Sequence, residues 1–236
     1  MCGRYGRFSR KERIEAALGQ DIEGAEGLAP RYNVCPGLPD WVLRRPDPRE
    51  RLRMDLVHWG LVPSWTRAPR ASRRPINARA ETVADKPMFR DLLRSRRCAV
   101  PIDGYYEWRA APGGKLPFWF HLRSGEPLFL AGLWDCWHEG RPDALASFLL
   151  MTTQPNALAA KVHDRMPVLL AARDVPRWLD PSQNDFMDLL DLLKPYPAQE
   201  MASHPVLRRV SDPGAEGPGL IAPDRSALEL QRGMFD

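Results

Sequence analysis

Five consecutive segments between residues 98 and 153 have the composition of β-strands, and this succession constrains the fold more than any other feature of the sequence. They cover residues 98–102, 105–108, 118–122, 128–134 and 145–153. Each is rich in apolar and aromatic residues, and Gly113-Gly114 provides a turn between two of them, a pattern typical of adjacent strands. The 24 prolines, about twice the usual frequency, also favour short strands and loops over long helices. We therefore expect a fold dominated by β-sheet.

Further strands and several short helices are predicted around this region. Residues 52–59 alternate apolar and polar side chains, which is the period of a half-buried strand. Ser9 and Glu12 have the spacing of a capping box and predict a helix that ends near Gly19. The other predicted strands cover 3–8, 41–43 and 166–170, and the other predicted helices cover 86–94, 155–162, 174–179 and 183–193. The expected fold is α+β, a single domain with a mainly antiparallel, barrel-like β core and peripheral helices.

Residues 67–97 form a basic stretch on an otherwise nearly neutral chain. They contain ten Arg or Lys residues and three acids, a net charge of +7, whereas the whole chain carries +4. This distribution suits a polyanionic partner, although a solvated basic face would have the same composition.

No apolar run reaches the length of a membrane span, and the start does not resemble a signal peptide. We expect an intracellular, cytoplasmic protein with no membrane partner.

The four cysteines do not predict disulfides or a metal site. The chain is neither short nor secreted, and no C-x-x-C pair occurs. Cys136 and His138 would share one face of a strand, but no further ligands are apparent, so no metal is expected. Cys35, Cys98 and Cys136 are interpreted as small buried hydrophobic residues.

Cys2 is different, because it directly follows the initiator Met1. Its side chain is small, so an aminopeptidase is expected to remove Met1 and leave an N-terminal Cys. Such a residue carries a thiol (pKa about 8.5) beside an α-amine (pKa about 7.7–8.0). The thiol could attack an acyl carbon with the amine as base. Alternatively, the amine could form a Schiff base with an aldehyde, onto which the thiol closes as a thiazolidine. Position alone would equally suit a residue that merely begins a strand.

Three other polar residues and one aromatic residue are candidates for chemistry or binding. The amide of Asn77 could hold an amine or stabilise an oxyanion, or it could simply occupy a turn. Glu107 lies among aromatic residues, where desolvation would raise its pKa, unless it faces water at a strand edge. His163 is suited to proton transfer or to a structural cap. Trp65 could stack on a nucleic-acid base or pack in the core.

Together these residues fall into an ordered set of motifs. The motifs read M-C-G-R (1–4), R-Y-N-V-x-P-G (31–37), W-G-L-V-P-S-W (59–65), I-N-A-R-A-E-T (76–82), D-G-Y-Y-E-W (103–108) and H-D-R-M-P (163–167). The set closely resembles the SOS-response-associated peptidase (SRAP) family of abasic-site processing proteins. The resemblance extends from Cys2 to Pro167, with a weaker last element at His204-Pro205-Val206.

This resemblance implies an SRAP fold and a protein that binds single-stranded DNA and crosslinks to abasic sites. It implies that Cys2 is the crosslinking nucleophile, that Asn77 orients its amine, that Glu107 transfers protons in Schiff-base formation and β-elimination, and that His163 contacts the sugar oxygen. It also implies phosphate binding by Arg4, Arg79 and Arg165 and stacking by Trp65. AP-lyase activity and self-processing by a peptidase activity ahead of Cys2 belong to the same expectation. No cofactor is implied, and we expect a monomer.

The sequence departs from the family after His204-Pro205-Val206, where the usual Asn-containing stretch is not evident. Its Gly- and Pro-rich sequence from about residue 211 predicts a loosely held tail, and we divide the chain into a domain, 1–222, and a C-terminal tail, 223–236.

Two other functions remain open. An N-terminal-nucleophile cysteine amidohydrolase, such as a class II glutaminase, would also begin Met-Cys-Gly, but it normally has an Asn-Gly turn, which this chain lacks. A non-catalytic nucleic-acid-binding module would need only the basic stretch.

Overall fold

Five strands form a closed barrel at the centre of the computed structural model, which describes residues 2–67, 74–111, 113–183 and 185–227. Each barrel strand pairs antiparallel with its neighbours except at one seam, where β5 and β11 run parallel and align His58 with Ser147. This single parallel contact closes the ring. The barrel strands are β4 (Pro39–Arg44), β5 (Leu52–Trp59), β7 (Arg97–Ile102), β10 (Leu128–Trp137) and β11 (Leu145–Thr153).

A second, fully antiparallel sheet of five strands lies beside the barrel. Its order is β14-β9-β8-β1-β3, so the N-terminal strand is flanked by β8 and β3. The strands are β1 (Tyr5–Arg7), β3 (Arg31–Val34), β8 (Gly104–Ala111), β9 (Gly114–Leu122) and β14 (Met201–Pro205). This arrangement brings the start of the chain next to the D-G-Y-Y-E-W motif.

Four short strands and several helices complete the fold. The strands β2 (Ile22–Gly24) and β6 (Asn77–Arg79) run parallel to β5 and β11, while β12 (Met166–Pro167) and β13 (Leu169–Leu170) run antiparallel to β11 and β10. The α-helices are α1 (Lys11–Leu18), α2 (Pro87–Ser95), α3 (Val175–Leu179) and α4 (Phe186–Asp191). Single 3₁₀ turns cover Ala80–Thr82, Ala159–Lys161, Ala172–Asp174, Ala198–Glu200, Arg208–Ser211 and Pro218–Ile221. No helix within these described ranges has both the length and the apolar character that crossing a bilayer requires.

The barrel strands contribute to two apolar clusters because alternate residues of a strand face opposite sides. One cluster joins Leu43, Phe129 and Leu149 to the helices. Helix α2 packs there through Phe89, Leu92 and Leu93, whose spacing places them on one helical face. The other cluster joins different barrel residues to Cys2, Tyr5 and Tyr105 of the five-stranded sheet.

These observations confirm the predicted α+β class and the antiparallel, barrel-like core. Cys35, Cys98 and Cys136 are buried, as predicted. The prediction that Ser9 caps α1 is wrong, because the helix begins at Lys11 with Arg10 as its N-cap. The Ser9 hydroxyl instead donates to Asp103, a buried carboxylate that also accepts the Ser9 backbone N–H. A buried carboxylate needs such donors, and it recruits the residue that a helix cap would have used.

Two other predictions about secondary structure are corrected. The strand predicted over 166–170 is interrupted at Val168, whose N–H bonds to Met151 while its carbonyl bonds to Ala131, so the chain passes from β11 to β10. The helix predicted over 155–162 is reduced to the 3₁₀ turn Ala159–Lys161.

The expectation of a loosely held tail from residue 211 is wrong for the part of it that the structure describes. Ala215 and Leu220 are buried against Tyr106 and Trp119. Residues 228–236 lie outside the described ranges, and the division of the chain at residue 222 stays a prediction.

Candidate active site

Cys2 lies where the chain enters β1, in the apolar cluster that contains Tyr5 and Tyr105. The carbonyl of Arg4 accepts a hydrogen bond from the Tyr106 N–H at 2.9 Å, so the residues ahead of β1 continue alongside β8. Cys2 is 0% exposed. Met1, whose removal the sequence predicts, lies outside the described residues.

The Cys2 thiol is in an environment that disfavours its ionised form. Burial raises the pKa of the thiol, and the negative charge of Glu107 raises it further, while a hydrogen bond from the Arg4 backbone N–H acts in the opposite direction. At neutral pH the sulfur therefore carries its proton.

Asn77 approaches Cys2 from β6, which β11 positions by pairing Asn77 with Leu150. Its Nδ2 donates to the Cys2 carbonyl at 2.9 Å. Its Oδ1 is buried and accepts no hydrogen bond from any described residue. One end of this amide is thus anchored to Cys2, and the other end is an acceptor without a donor.

Glu107 and Tyr105 approach from β8, two residues apart and hence on one face of the strand. Glu107 is only 4% exposed. The Tyr105 hydroxyl is buried and forms no hydrogen bond with the described residues. Burial raises the pKa of Tyr105 most, and electrostatic interactions with Cys2 and Glu107 raise it further, so the three side chains share one electrostatic environment. Tyr105 is not among the site residues predicted from the sequence, although its i, i+2 spacing to Glu107 on a predicted strand indicates that the two side chains share a face.

His163 follows the 3₁₀ turn Ala159–Lys161 and is partly exposed. Its Nδ1 lies 3.0 Å from the Arg165 backbone N and 2.8 Å from Asp164 Oδ1. The neutral ring can accept from the amide, and the protonated ring can donate to the carboxylate. Through Arg165, this segment is joined to β11 and to the 3₁₀ turn Ala80–Thr82, which directly follows β6, the strand that carries Asn77.

Arg165 forms a bidentate ion pair with Glu81, at 2.7 Å from Nη1 and 2.8 Å from Nη2, and Nη2 also donates to the Thr152 carbonyl at 2.8 Å. Hydrogen bonds from Arg165 lower the pKa of Glu81. Arg79, two residues before Glu81, is exposed, and its side chain makes no hydrogen bond or ion pair with another described residue. The two arginines therefore differ in how much of each guanidinium remains available to a ligand.

Arg4 is also engaged within the protein. Its Nη1 donates to Asn33 Oδ1 at 2.8 Å and to the Val210 carbonyl at 2.7 Å, and its guanidinium lies 5.7 Å from the centre of the Trp108 ring. Arg4 thus links the start of the chain to the C-terminal segment around Val210.

Trp65 is 68% exposed, so the alternative that it packs in the core is wrong. The loop that carries it is held on both sides. Asp135 accepts the Ser64 N–H at 2.7 Å, and the Thr66 carbonyl accepts the Trp137 indole N–H at 2.7 Å. A fixed loop therefore presents a free aromatic face.

The basic stretch does not form one continuous surface in the described residues. Arg97 is buried and donates to the carbonyls of Trp178 and Leu93, and Arg96 pairs with Glu139 at 2.7 Å. Residues 68–73 of the predicted basic loop lie outside the described ranges. Among the described residues, no three His, Cys, Asp or Glu side chains converge as they would around a metal ion.

Comparison with known proteins relates this arrangement to one family. The family model described as "SOS response associated peptidase (SRAP)" matches residues 1–213. "Abasic site processing protein YoqW" of Bacillus subtilis is 37% identical, over 94% of this chain and 99% of that protein. "Abasic site processing protein YedK" of Escherichia coli is 32% identical, over 94% and 100%. "Abasic site processing protein HMCES" of Gallus gallus is 29% identical, over 94% and 78%.

Solved structures share the fold. A crystal structure of a protein from Bacteroides thetaiotaomicron superposes with a TM-score of 0.81 at 24% identity, over 94% of this chain and all of that one. A phage-related protein from Bordetella bronchiseptica superposes with a TM-score of 0.71 at 28% identity, over 88% and 95%. Because the family model spans most of the chain and relatives above 30% identity align over nearly its whole length, the protein belongs to the SOS response associated peptidase (SRAP) family.

Proposed function

We propose that this protein processes abasic sites in single-stranded DNA, inside the cell and as part of the response to DNA damage, by crosslinking to them through Cys2. Removal of Met1 exposes the Cys2 amine, which adds to the aldehyde of the ring-opened sugar and forms a Schiff base with loss of one water. The thiol S–H then adds across the C=N bond and closes a thiazolidine. Relatives named abasic site processing proteins support this substrate class.

The observation that carries the proposal is the orientation of the Asn77 amide. Its Nδ2 is bonded to the Cys2 carbonyl, while its buried Oδ1 has no donor among the described residues. A buried acceptor without a partner destabilises the fold unless something supplies one. The Cys2 amine, which exists only after Met1 is removed, is a donor on the same residue that Nδ2 already binds.

The state of the Cys2 thiol supports attack by the amine first. Because burial and Glu107 raise its pKa, the thiol is protonated at neutral pH and is a weak nucleophile. A class II glutaminase would need the sulfur to attack first. The neutral thiol suits the second step instead, in which S–H adds across a Schiff base already formed.

The other residues have roles consistent with this chemistry. Glu107 accepts and returns protons during Schiff-base formation and in the β-elimination that would give AP-lyase activity. His163 contacts the sugar oxygen. Trp65 and Arg79, both exposed, are available to stack on a base and to bind a phosphate, and Arg4 and Arg165 are the other two proposed phosphate ligands. Peptidase activity is proposed only for self-processing ahead of Cys2.

Intact mass spectrometry tests the proposal directly. The purified protein should lack Met1, and incubation with a single-stranded oligonucleotide carrying one abasic site should add the mass of one oligonucleotide less one water. Cys2→Ala should form at most a labile imine and lose the heat-stable adduct. Cys136→Ala is the matched control, because it removes another buried cysteine that lies outside the apolar cluster containing Cys2, and it should crosslink normally.

Two results would contradict the proposal. A heat-stable adduct from Cys2→Ala would exclude thiazolidine closure by the Cys2 thiol. A wild-type protein that lacks Met1 but forms no adduct would exclude aldehyde chemistry, and release of ammonia from glutamine would then favour the amidohydrolase.

A further inference from the structure

The Tyr105 hydroxyl is a buried polar group for which the described structure supplies no hydrogen-bond partner. The ring itself is well packed, stacked on Phe120 with 4.9 Å between centroids and 7° between planes. The hydroxyls of Tyr5, Tyr106 and Tyr196 are bonded to Asp40, the Tyr32 carbonyl and Glu200. Phenylalanine would stack equally well at position 105, so packing does not explain the oxygen.

The position of Tyr105 relates this hydroxyl to the proposed chemistry. Tyr105 pairs with Tyr5 across β1 and β8, and it lies on the same strand face as Glu107. It shares an apolar cluster with Cys2. Burial raises its pKa most, and electrostatic interactions with Cys2 and Glu107 raise it further, so the hydroxyl keeps its proton and is available as a donor.

We propose that Tyr105 is a further substrate-contacting residue, whose hydroxyl donates a hydrogen bond to the oxygen of the abasic-site aldehyde while the Cys2 amine adds to the carbonyl carbon. The inference rests on the proposed function and deepens it. In this reaction the missing partner of the hydroxyl is an atom of the substrate, which is absent until DNA binds.

The step balances without transfer of the tyrosine proton. Attack by the amine forms the C–N bond and breaks the C=O π bond, and the oxygen becomes negatively charged as it leaves the plane of the carbonyl. One proton of the former amine reaches that oxygen, and the resulting hydroxyl takes up the second amine proton and departs as water when the C=N bond forms. Tyr105 stabilises the charge that develops on the oxygen, as a donor in an oxyanion hole does.

The test compares Tyr105→Phe with Tyr106→Phe, two adjacent tyrosines that differ in whether the hydroxyl already has a partner. Tyr105→Phe should unfold at the same denaturant concentration as wild type, or a higher one, because it removes an unpartnered buried hydroxyl. Its single-turnover rate of crosslinking to an abasic oligonucleotide should fall about 100- to 1,000-fold. Tyr106→Phe should show the reverse pattern, with lower stability and a crosslinking rate within about twofold of wild type.

A third measurement separates chemistry from binding. Affinity for an oligonucleotide with a reduced abasic site, which has no aldehyde, should be the same for Tyr105→Phe and wild type. A Tyr105→Phe protein that crosslinks at the wild-type rate, or that is less stable than wild type, would overturn the inference, the latter because the hydroxyl would then have a structural role. If wild type itself formed no crosslink, the proposed function would fail instead.

Discussion

Arg79 and Arg165 were predicted for the same role, but their guanidinium groups are in different states. Arg165 donates to both carboxylate oxygens of Glu81 and to the Thr152 carbonyl, whereas Arg79 is exposed and has no such partner among the described residues. A phosphate could bind Arg79 without displacing any other group. At Arg165 it would have to compete with Glu81 or bind alongside it.

We therefore expect different salt dependences when each arginine is removed. In plots of log K against log salt for a single-stranded oligonucleotide, Arg79→Ala should reduce the slope by about 0.7, the contribution of one phosphate contact. Arg165→Ala should change the slope less and should slow crosslinking, because the His163 segment loses its link to Glu81. Equal slopes for Arg79→Ala and wild type would exclude Arg79 as a phosphate ligand.

For single residues, the sequence predicts which side chains lie at the candidate site better than it predicts their hydrogen-bond and ion-pair partners. Cys2, Asn77 and Glu107 were selected from motifs, and the fold brings their side chains into one environment. That Arg165 would be paired with Glu81 could not be predicted, because the two residues are 84 positions apart and meet only when β6 and β12 flank β11. That the Tyr105 hydroxyl has no hydrogen-bond partner among the described residues also depends on tertiary packing, so it could not be predicted from the sequence.

Among the strands, β8 and β9 meet so closely that only glycine fits at position 104. A Cβ added to Gly104 would lie 2.4 Å from the Phe120 carbonyl oxygen and 2.4 Å from the Trp119 ring. Because the first of these atoms belongs to the backbone, the two strands would have to separate. This pairing also fixes the register of Tyr105 and Glu107.

Gly104→Ala should consequently lower the free energy of unfolding by about 3 kcal/mol, at the upper end of the range for overpacking. Denaturant titration would measure this loss. Gly219→Ala serves as the control, since a Cβ there meets no heavy atom within 4 Å, and it should change stability by less than about 0.5 kcal/mol. An unchanged midpoint for Gly104→Ala would mean that β8 and β9 are not held at this distance.

Strand prediction succeeded where the alternating or apolar side-chain pattern is long, and it failed where tertiary contacts determine whether a strand forms. The strand 145–153 was predicted with its exact bounds, and 52–59 likewise. The three-residue strands β2 and β6 were not identified, because so few residues show no periodicity. They exist because β5 and β11 offer open edges to them.

In the molecule as a whole, Asn33 fastens the C-terminal segment to the five-stranded sheet. Its Nδ2 donates to the carbonyls of Asp212 and Ala215, both at 2.9 Å, and its Oδ1 accepts from Arg4. Asn33 is completely buried, so these bonds are not exchanged for water. One amide thus joins Arg4, near the start of the chain, to a segment about 180 positions after Asn33 itself.

Asn33→Ala should release this segment. We expect a loss of about 3 kcal/mol in unfolding free energy, since several buried groups lose their partners together. Trypsin should then cleave after Arg208 or Arg209 much faster than in wild type, as followed by mass spectrometry under native conditions. Gln199→Ala, an exposed substitution, is the control. Cleavage at the wild-type rate would show that other contacts hold the segment.

The whole-molecule arrangement was predicted only in part. A barrel-like antiparallel core was expected from the succession of strands, but its closure by one parallel contact between β5 and β11 was not. The C-terminal segment was mistaken for a loose tail because Gly and Pro content indicates a lack of regular structure and says nothing about burial. Ala215 and Leu220 are buried without belonging to a strand or an α-helix.

The burial of Cys2 also limits the time in which Met1 can be removed easily during synthesis. Cys2 leaves the ribosome early, whereas Asn77, which holds its carbonyl, is made 75 residues later. At ordinary rates of translation this delay is roughly 4–15 s. After folding, Cys2 is 0% exposed, so an aminopeptidase can reach the Met1–Cys2 bond most easily within that interval. Under the proposed chemistry, the fraction of molecules able to crosslink therefore depends on whether Met1 is removed before folding buries Cys2. This competition takes place on the nascent chain, before the finished protein meets any DNA.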